Sequence, residues 1–286
     1  MKSPDFDYVR PDSLAEVFEM LKNHDGRAQL LAGGQSLMAI MNLRMADPEL
    51  LIDINGLPGM RSIEKQGDRI RIGALVTHRE LLESPVVAEC VPLLSQAVPY
   101  VAHVAIRNKG TIGGSLALAD PAAEYPAVAQ ALGATIIAAS PAGERRIQAA
   151  DYFLGFYQTA LQPEEVLLAV EFPVAAPGQH FVFCELARRH GDFAMVGLAA
   201  AITLSGASVQ AASFAFCAVA GYPQLASTAM AGMVGKKLDS AQILAAQEAL
   251  ETDLTPNGDL QANAATKIHL ARVLLGRALE QMRVQP

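Results

Sequence analysis

The sequence has no tryptophan, and only 6% of its 286 residues are aromatic. It has three cysteines, Cys90, Cys184 and Cys217, far apart and with no C-x-x-C spacing. Neither a structural zinc site nor an iron–sulfur cluster can be assembled from them alone, and free thiols in a reducing cytosol are the expectation. The six histidines show no H-E-x-x-H or other ligand spacing. Basic residues are in deficit, 22 against 29 acidic ones for a net charge of −7, and Arg145-Arg146 and Lys236-Lys237 are too short to form a basic patch. That excludes nucleic acid as a partner, since phosphate binding needs clustered Lys and Arg. No two glycines are separated by a single residue, so neither a G-x-G-x-x-G dinucleotide fingerprint nor a Walker A loop is present. Residues 193–235 lack charge altogether, yet Gly197, Ser205-Gly206, Gln210 and Gly221-Tyr222-Pro223 interrupt them before about twenty apolar residues accumulate. They read as buried strands and not as a membrane span. Met1-Lys2-Ser3-Pro4-Asp5 has no apolar signal-peptide core, so a cytoplasmic protein is expected.

The remainder is ordinary globular composition, 51% hydrophobic and 18% charged, and long enough for two modest domains. Its most distinctive stretch is residues 106–124, where Gly110, Thr111, Gly113, Gly114 and Ser115 display backbone amides that no Cβ shields. The other Gly-Gly pair, Gly33-Gly34, has a similar setting, with Gln29-Leu30-Leu31-Ala32 before it and Gln35-Ser36 after it. Successive amides in a tight turn form an anion-binding concavity, so two such turns suit a diphosphate. Taken singly, either pair also reads as strand-to-turn punctuation.

Along the chain, Ser13 and Glu16 stand in capping-box spacing before a helix whose apolar face is Leu14, Val17, Phe18 and Leu21. Residues 50–54 form a buried strand, and Pro48, Gly56, Pro58 and Gly59 mark a boundary between two lobes. Residues 69–72 alternate as a half-exposed strand should, Thr77 and Glu80 repeat the capping box, and residues 85–98 read as one further helix. Because proline is tolerated only in a helix's first turn, Pro121 and Pro126 place the next helix start near Glu124, with its carboxylate at the helix's positive end. Residues 166–172 form a buried strand, and Pro173 with Pro177-Gly178 makes a linker. Beyond it come β-like stretches at 181–186, 194–204 and 213–220, then helices at about 227–238, 240–250 and 262–282. That order indicates an α+β domain with its sheet covered on one face. Arg188, Arg189 and Asp192 lie between its first two strands, where they read equally as a solvated loop charge cluster or as a contact by which the C-terminal domain reaches back to a cofactor or partner, and His103 reads as structural.

The string Leu31-Ala32-Gly33-Gly34-Gln35-Ser36-Leu37, with Asn42-Leu43-Arg44 and Leu51-Ile52-Asp53-Ile54, resembles the N-terminal FAD-binding part of the medium subunits of molybdenum hydroxylases. That family includes carbon monoxide dehydrogenase medium subunits and xanthine dehydrogenase flavin domains. Residues 106–115 with Ala119-Asp120-Pro121 are similar to its second FAD loop almost letter for letter. The likeness continues through Glu165-Val166-Leu167-Leu168, residues 188–194, residues 257–260 and residues 269–274, nearly the whole chain.

The resemblance implies an α+β protein. A two-lobed FAD-binding domain of the PCMH or vanillyl-alcohol-oxidase type (lobes 1–56 and 57–176) would precede a C-terminal domain of carbon monoxide dehydrogenase flavoprotein type (177–286). It further implies that Ala32, Gly33, Gly34, Gln35 and Ser36 wrap the FAD diphosphate from one side, and Thr111, Gly113, Gly114 and Ser115 from the other. Glu124 would hydrogen-bond toward the ribityl or adenosine part, and Val101, Ala102 and Leu167 would line the cofactor; Leu31, Leu37, Ile106, Ala119 and Asp192 complete the implied set. FAD would be held non-covalently. Three positions depart from the family pattern: Leu118 where histidine is frequent, Glu124 where aspartate is, and no lysine around Cys184-Glu185.

The implied function is electron transfer within a heterotrimer, assembled as a dimer of heterotrimers. A small partner would carry [2Fe–2S] clusters, a large partner the molybdenum–pterin cofactor, and this chain FAD. No acid, base, nucleophile or metal ligand of this chain need touch the organic substrate. A stand-alone flavin oxidase or dehydrogenase would need a larger substrate domain with convergent catalytic side chains. A non-catalytic module for another phosphate-bearing ligand would be colourless where a flavoprotein is yellow. Replacing Gly114 by alanine or a larger residue should block backbone approach and yield a colourless protein; stoichiometric FAD retained by the variant would contradict the amide-cradle argument.

Overall fold

A computed structural model describes residues 2–284. The chain opens with a short strand, β1 (Asp7–Val9), then helix α1 (Leu14–His24), strand β2 (Ala28–Leu31), helix α2 (Leu37–Asn42) and strand β3 (Leu50–Asp53). The three strands form a parallel sheet in the order β1-β3-β2, with Tyr8 and Leu30 paired to Leu51 and Ile52 of the middle strand. Being central and parallel, β3 is buried along its whole length and reads as a continuous apolar run up to Asp53. Ser13 caps α1 by accepting the Glu16 amide at 3.3 Å, but the Glu16 carboxylate takes the Asp12 amide at 3.0 Å. The expected capping box therefore closes one residue early.

Strands β4 (Ile63–Gln66) and β5 (Arg69–Gly73) lead into α3 (His78–Glu83), α4 (Pro85–Cys90), α5 (Pro92–Ala97), α6 (Val104–Arg107), α7 (Ile112–Leu118) and α8 (Glu124–Ala131). The box at α3 is complete: Thr77 accepts the Glu80 amide at 3.2 Å and Glu80 accepts the Thr77 amide at 2.8 Å. The single helix expected over 85–98 is instead α4, α5 and a 3-10 turn. Pro92 has no amide to continue the ladder, and it pushes Val91 out of the helical region to φ −136 and ψ 67.

Strands β6 (Thr135–Ser140) and β7 (Gly143–Gln148), the turn α9 (Ala149–Tyr152), the small hairpin β8 (Phe153–Gly155) and β9 (Gln158–Thr159), and strand β10 (Val166–Pro173) follow. They build an antiparallel sheet ordered β4-β5-β10-β6-β7 with the buried β10 at its centre. On one surface of it Glu171 gathers Arg71 at 3.3 Å and Arg146, and these guanidiniums hold its carboxyl below the usual range.

The C-terminal part comprises β11 (Gln179–Leu186), β12 (Val196–Ser205), β13 (Ser208–Cys217), β14 (Gln224–Leu225), α10 (Ser227–Met233), α11 (Ser240–Asp253) and α12 (Ala264–Val284). Its sheet is antiparallel in that order. The strand expected at 213–220 starts at Ser208, directly after a tight turn with Gly206 at φ +59, because small residues carry no strong strand signal of their own. The helix expected at 227–238 ends at Met233, before Gly235 at φ +78. The sheet is covered on both faces, not one: α12 and its neighbours pack on Val182, Leu198, Phe214 and Phe216, while α5 and α8 pack on Phe181, Phe183, Ala199 and Ala215. Alternate residues are apolar on both sides of these strands, so neither side suits water. Among the described residues no helix is long and apolar enough to cross a membrane.

Ala218 joins the C-terminal part to the rest, and Lys267 of α12 braces it. Lys267 is 4% exposed, donates to the Ala218 carbonyl at 2.6 Å and pairs with Asp259 at 2.7 Å. Ala218 has the left-handed φ of +63, and its own amide donates to the Pro121 carbonyl at 2.7 Å. Lys267→Met keeps the apolar stem and leaves the Ala218 carbonyl unpaired, which costs about 2 kcal/mol. Calorimetry should show a melting temperature lower by roughly 4–8 °C; an unchanged transition would contradict this role.

Candidate functional site

Strand β2 leads directly into the first glycine pair, Gly33-Gly34. A Cβ on Gly33 would lie 2.2 Å from the Lys109 carbonyl oxygen and 2.8 Å from Gly110 Cα, so the two loops meet backbone to backbone where only glycine fits. Gly34 follows at φ +68. Asn55, anchored on Asp53 at 2.7 Å, donates its side-chain amide to the Ala32 carbonyl at 2.9 Å and fixes the loop from beneath. The backbone amides of Gly33, Gly34, Gln35 and Ser36 donate to no group among the described residues. Leu31 and Leu37 flank them half-buried, while Gln35 and Ser36 are exposed. Four consecutive open amides leading into α2 are what a diphosphate requires.

The second loop differs from expectation. Gly113 and Gly114 lie in the first turn of α7, not in an open turn, and Thr111 caps that helix by accepting the Gly114 amide at 3.1 Å. The Ile112 amide donates to Val76 at 3.0 Å, that of Gly113 to Ala74 at 2.9 Å and that of Ser115 to Thr111 at 3.1 Å. These amides are committed to the fold, so the capacity to hold an anion by open backbone amides resides mainly in the first loop. The two glycines also divide their work. A Cβ on Gly113 would lie 2.4 Å from Ala74 Cβ, whereas one on Gly114 meets only Thr111 Oγ1 at 3.0 Å and Gly114 is exposed. Gly113 permits packing, and Gly114 presents a bare surface.

Two side chains to which the sequence assigns no role, His78 and Arg107, hold this arrangement. His78 donates its backbone amide to Gly110 at 2.9 Å, and its ring fills the space a Gly110 side chain would need. The ring is buried, its Nδ1 is 3.1 Å from the Tyr125 hydroxyl, and burial, aided by the Arg107 charge, pushes its pKa down to about 4. Arg107 donates to the Val101 carbonyl at 2.9 Å and to that of Ala102 at 2.8 Å, holding Ala102 at a left-handed φ of +45. Arg107 lies within the string similar to the second FAD loop, but its bracing of the Val101–Ala102 turn, like the place of His78 behind Gly110, is visible only in the fold.

Val101 is buried and Ala102 half-buried; Ile106, half-buried, accepts the Gly110 amide at 2.8 Å. Ala119 ends α7 at φ +51, Leu167 is buried beside a bulge in β10, and Glu124 is the buried first residue of α8. Burial, with a smaller contribution from Asp120, pushes the Glu124 carboxyl up to about 7. The β11–β12 loop does reach this region: a Cβ on Gly191 would lie 2.5 Å from the His103 ring and 2.9 Å from the Ala102 carbonyl. Asp192, Arg188 and Arg189 on that loop are exposed and form no ion pair among the described residues, and His103 itself is exposed at the start of α6.

The buried His78 makes stability depend on pH. Its folded pKa of about 4 lies below the ordinary 6.5, so the unfolded chain takes up a proton first as pH falls. The contribution is complete above pH about 6.5 and is lost between there and pH 4, roughly 3 kcal/mol in all. Urea unfolding of wild type and His78→Gln across that window should show the slope diminished in the variant; parallel curves would contradict the assignment.

Residues 4–175 match the family described as the FAD binding domain in molybdopterin dehydrogenase, and residues 181–282 match the CO dehydrogenase flavoprotein C-terminal domain. The chain is 37% identical to the 6-hydroxypseudooxynicotine dehydrogenase complex subunit alpha of Paenarthrobacter nicotinovorans, covering 98% of this chain and 95% of that one. It is 35% identical to the carbon monoxide dehydrogenase medium chain of Hydrogenophaga pseudoflava, covering 98% and 97%. Among solved structures, the carbon monoxide dehydrogenase of Hydrogenophaga pseudoflava superposes with a TM-score of 0.96 at 36% identity over 98% of each chain. Quinoline 2-oxidoreductase of Pseudomonas putida 86 gives 0.94 at 38% identity over 99% and 98%. With both halves matched and relatives covered almost end to end, this chain belongs to the FAD-binding medium subunits of the molybdenum hydroxylases.

Proposed function

We propose that this chain is the electron relay of a heteromeric molybdenum hydroxylase, taking electrons from [2Fe–2S] clusters of a small partner subunit and passing them to a terminal acceptor. The observation that carries the reading is the run of open amides at Gly33–Ser36, pressed onto the second loop within a chain that spans whole medium subunits. In this reading Ala32 to Ser36 hold the FAD diphosphate, and Thr111 to Ser115 close over it with the bare surface of Gly114 and the Ser115 side chain. Val101, Ala102 and Leu167 supply the apolar wall, and Glu124 meets the polar part of the cofactor. Bound FAD supplies a carrier that accepts electrons singly and releases them singly or in pairs. The residues of this chain bind and orient it: Arg107 sets the Val101–Ala102 turn, and His78 backs the second loop.

Oxidation of the organic substrate belongs, in this reading, to a large molybdenum–pterin subunit, in a cytoplasmic dimer of heterotrimers. The hairpin β8–β9 bears Leu154, Phe156 and Tyr157, all exposed, with Phe156 and Tyr157 ring centroids 4.6 Å apart. Apolar surface of this kind is what an obligate partner covers. A mild affinity pull-down from native extract should recover molybdenum, iron and FAD together with one larger and one smaller chain. Recovery of FAD with no partner chain or metal would overturn the relay reading.

A further inference from the structure

The seam between the N-terminal segment (residues 4–175) and the C-terminal sheet is filled around Phe183, Ala199 and Ala215, all buried, and opens toward the other end of the same strands. There a half-open cleft of about 130 Å³ is bounded by the ends of α4 and α8, the connection after β10, and strands β11, β12 and β13. The ladder register makes the room: Phe181 pairs with Ala201, which pairs with Ser213, so one ring stands beside two short side chains. The Ala175 amide, donating to the Cys90 carbonyl at 2.8 Å, holds the connection against α4. None of the residues from Ala32 to Ser36 or from Thr111 to Ser115 lines the cleft.

Size and lining decide what the cleft can hold. Among the described residues no charged side chain lines it, and burying an unpaired charge is costly, so an ionic ligand is excluded. Val91 and Phe181, both buried, and the half-buried Leu132 give apolar walls, with the buried Cys90 thiol beside them. Polar side chains come from the sheet alone. Thr203 and Ser213 offer half-buried hydroxyls, each able to donate one hydrogen bond and accept others. Gln179, whose Oε1 accepts the Ala176 amide at 2.8 Å, keeps its side-chain NH2 group as a donor. An apolar cavity of about 150 Å³ takes one benzene ring. The volume here admits a molecule of that size, and the one-sided polar lining selects a ring with one polar edge.

We propose that this cleft is a binding site for a neutral single-ring aromatic molecule with one hydrogen-bonding substituent, of which phenol is the simplest. The ring lies against Phe181, Val91 and Leu132, and its polar edge meets the hydroxyls of Thr203 and Ser213. Because the N-terminal segment and the C-terminal sheet each supply part of the wall, the bound ring braces one against the other and stabilises their packing.

The test uses the full chain, with phenol as the probe and benzoate as its charged counterpart. Saturation-transfer NMR should give phenol a dissociation constant on the order of 1 mM and show no binding of benzoate. Phenol should also slow the modification of Cys90 by methyl methanethiosulfonate, a small neutral thiol reagent, as read by peptide mass, and should raise the melting temperature. Ala201→Leu, which fills the cleft, should weaken phenol binding by about tenfold or more and lose both effects. Thr203→Val, which keeps the shape and removes a hydroxyl, should weaken phenol but not benzene, and it serves if Ala201→Leu does not fold. Phenol affinity unchanged in the folded variants, equal binding of benzoate, or Cys90 modification indifferent to phenol would each overturn the inference.

Discussion

Two stretches of backbone touch where Gly33 meets the Lys109–Gly110 peptide, and the geometry of the candidate site follows from that contact. A single Cβ would force the loops apart, and with them the parallel sheet that carries the first and the α6–α7 segment that carries the second. The supports on either side are built to keep it closed. Asn55 ties the first loop to Asp53 from below, and His78 occupies the space behind Gly110. Because the open groups of the first loop are peptide amides, its capacity to hold an anion depends on the path of the chain more than on the exposed side chains Gln35 and Ser36.

Much of this was legible before any coordinates. The Thr77–Glu80 box, the helix start at Glu124 and the buried strand expected over 50–54, which ends one residue sooner at Asp53, follow from short-range rules of capping, proline placement and apolar runs. The structure departs from these rules where a local signal is outvoted or absent. Pro92 breaks a run whose apolar residues otherwise continue as a helix, and Ser208–Ala212 forms strand because its neighbours pair with it, not because small residues prefer to.

The site itself was legible as a location more than as a mechanism. Both glycine pairs could be found by eye, but which amides remain open depends on Ala74 and Val76, supplied by a strand exit far away in the chain. The division of labour between Gly113 and Gly114 is likewise a matter of what stands opposite each. Arg107 reads as one more residue of the second loop's string until tertiary packing gives it three carbonyls to hold, those of Pro99, Val101 and Ala102.

The covering of the C-terminal sheet on both faces has a consequence for inheritance. Residues 4–175 and 181–282 match separate family models, which suggests units free to be exchanged between lineages. Yet Phe181, Phe183, Ala199, Ala215 and Cys217 belong to the same apolar core as α5 and α8. A crossover in the short connection between the two segments would join surfaces shaped by different histories, and every mismatch would fall inside a close-packed interior. The boundary that is easiest to draw along the chain is therefore one of the hardest to cut in three dimensions, and the two segments are bound to diverge together.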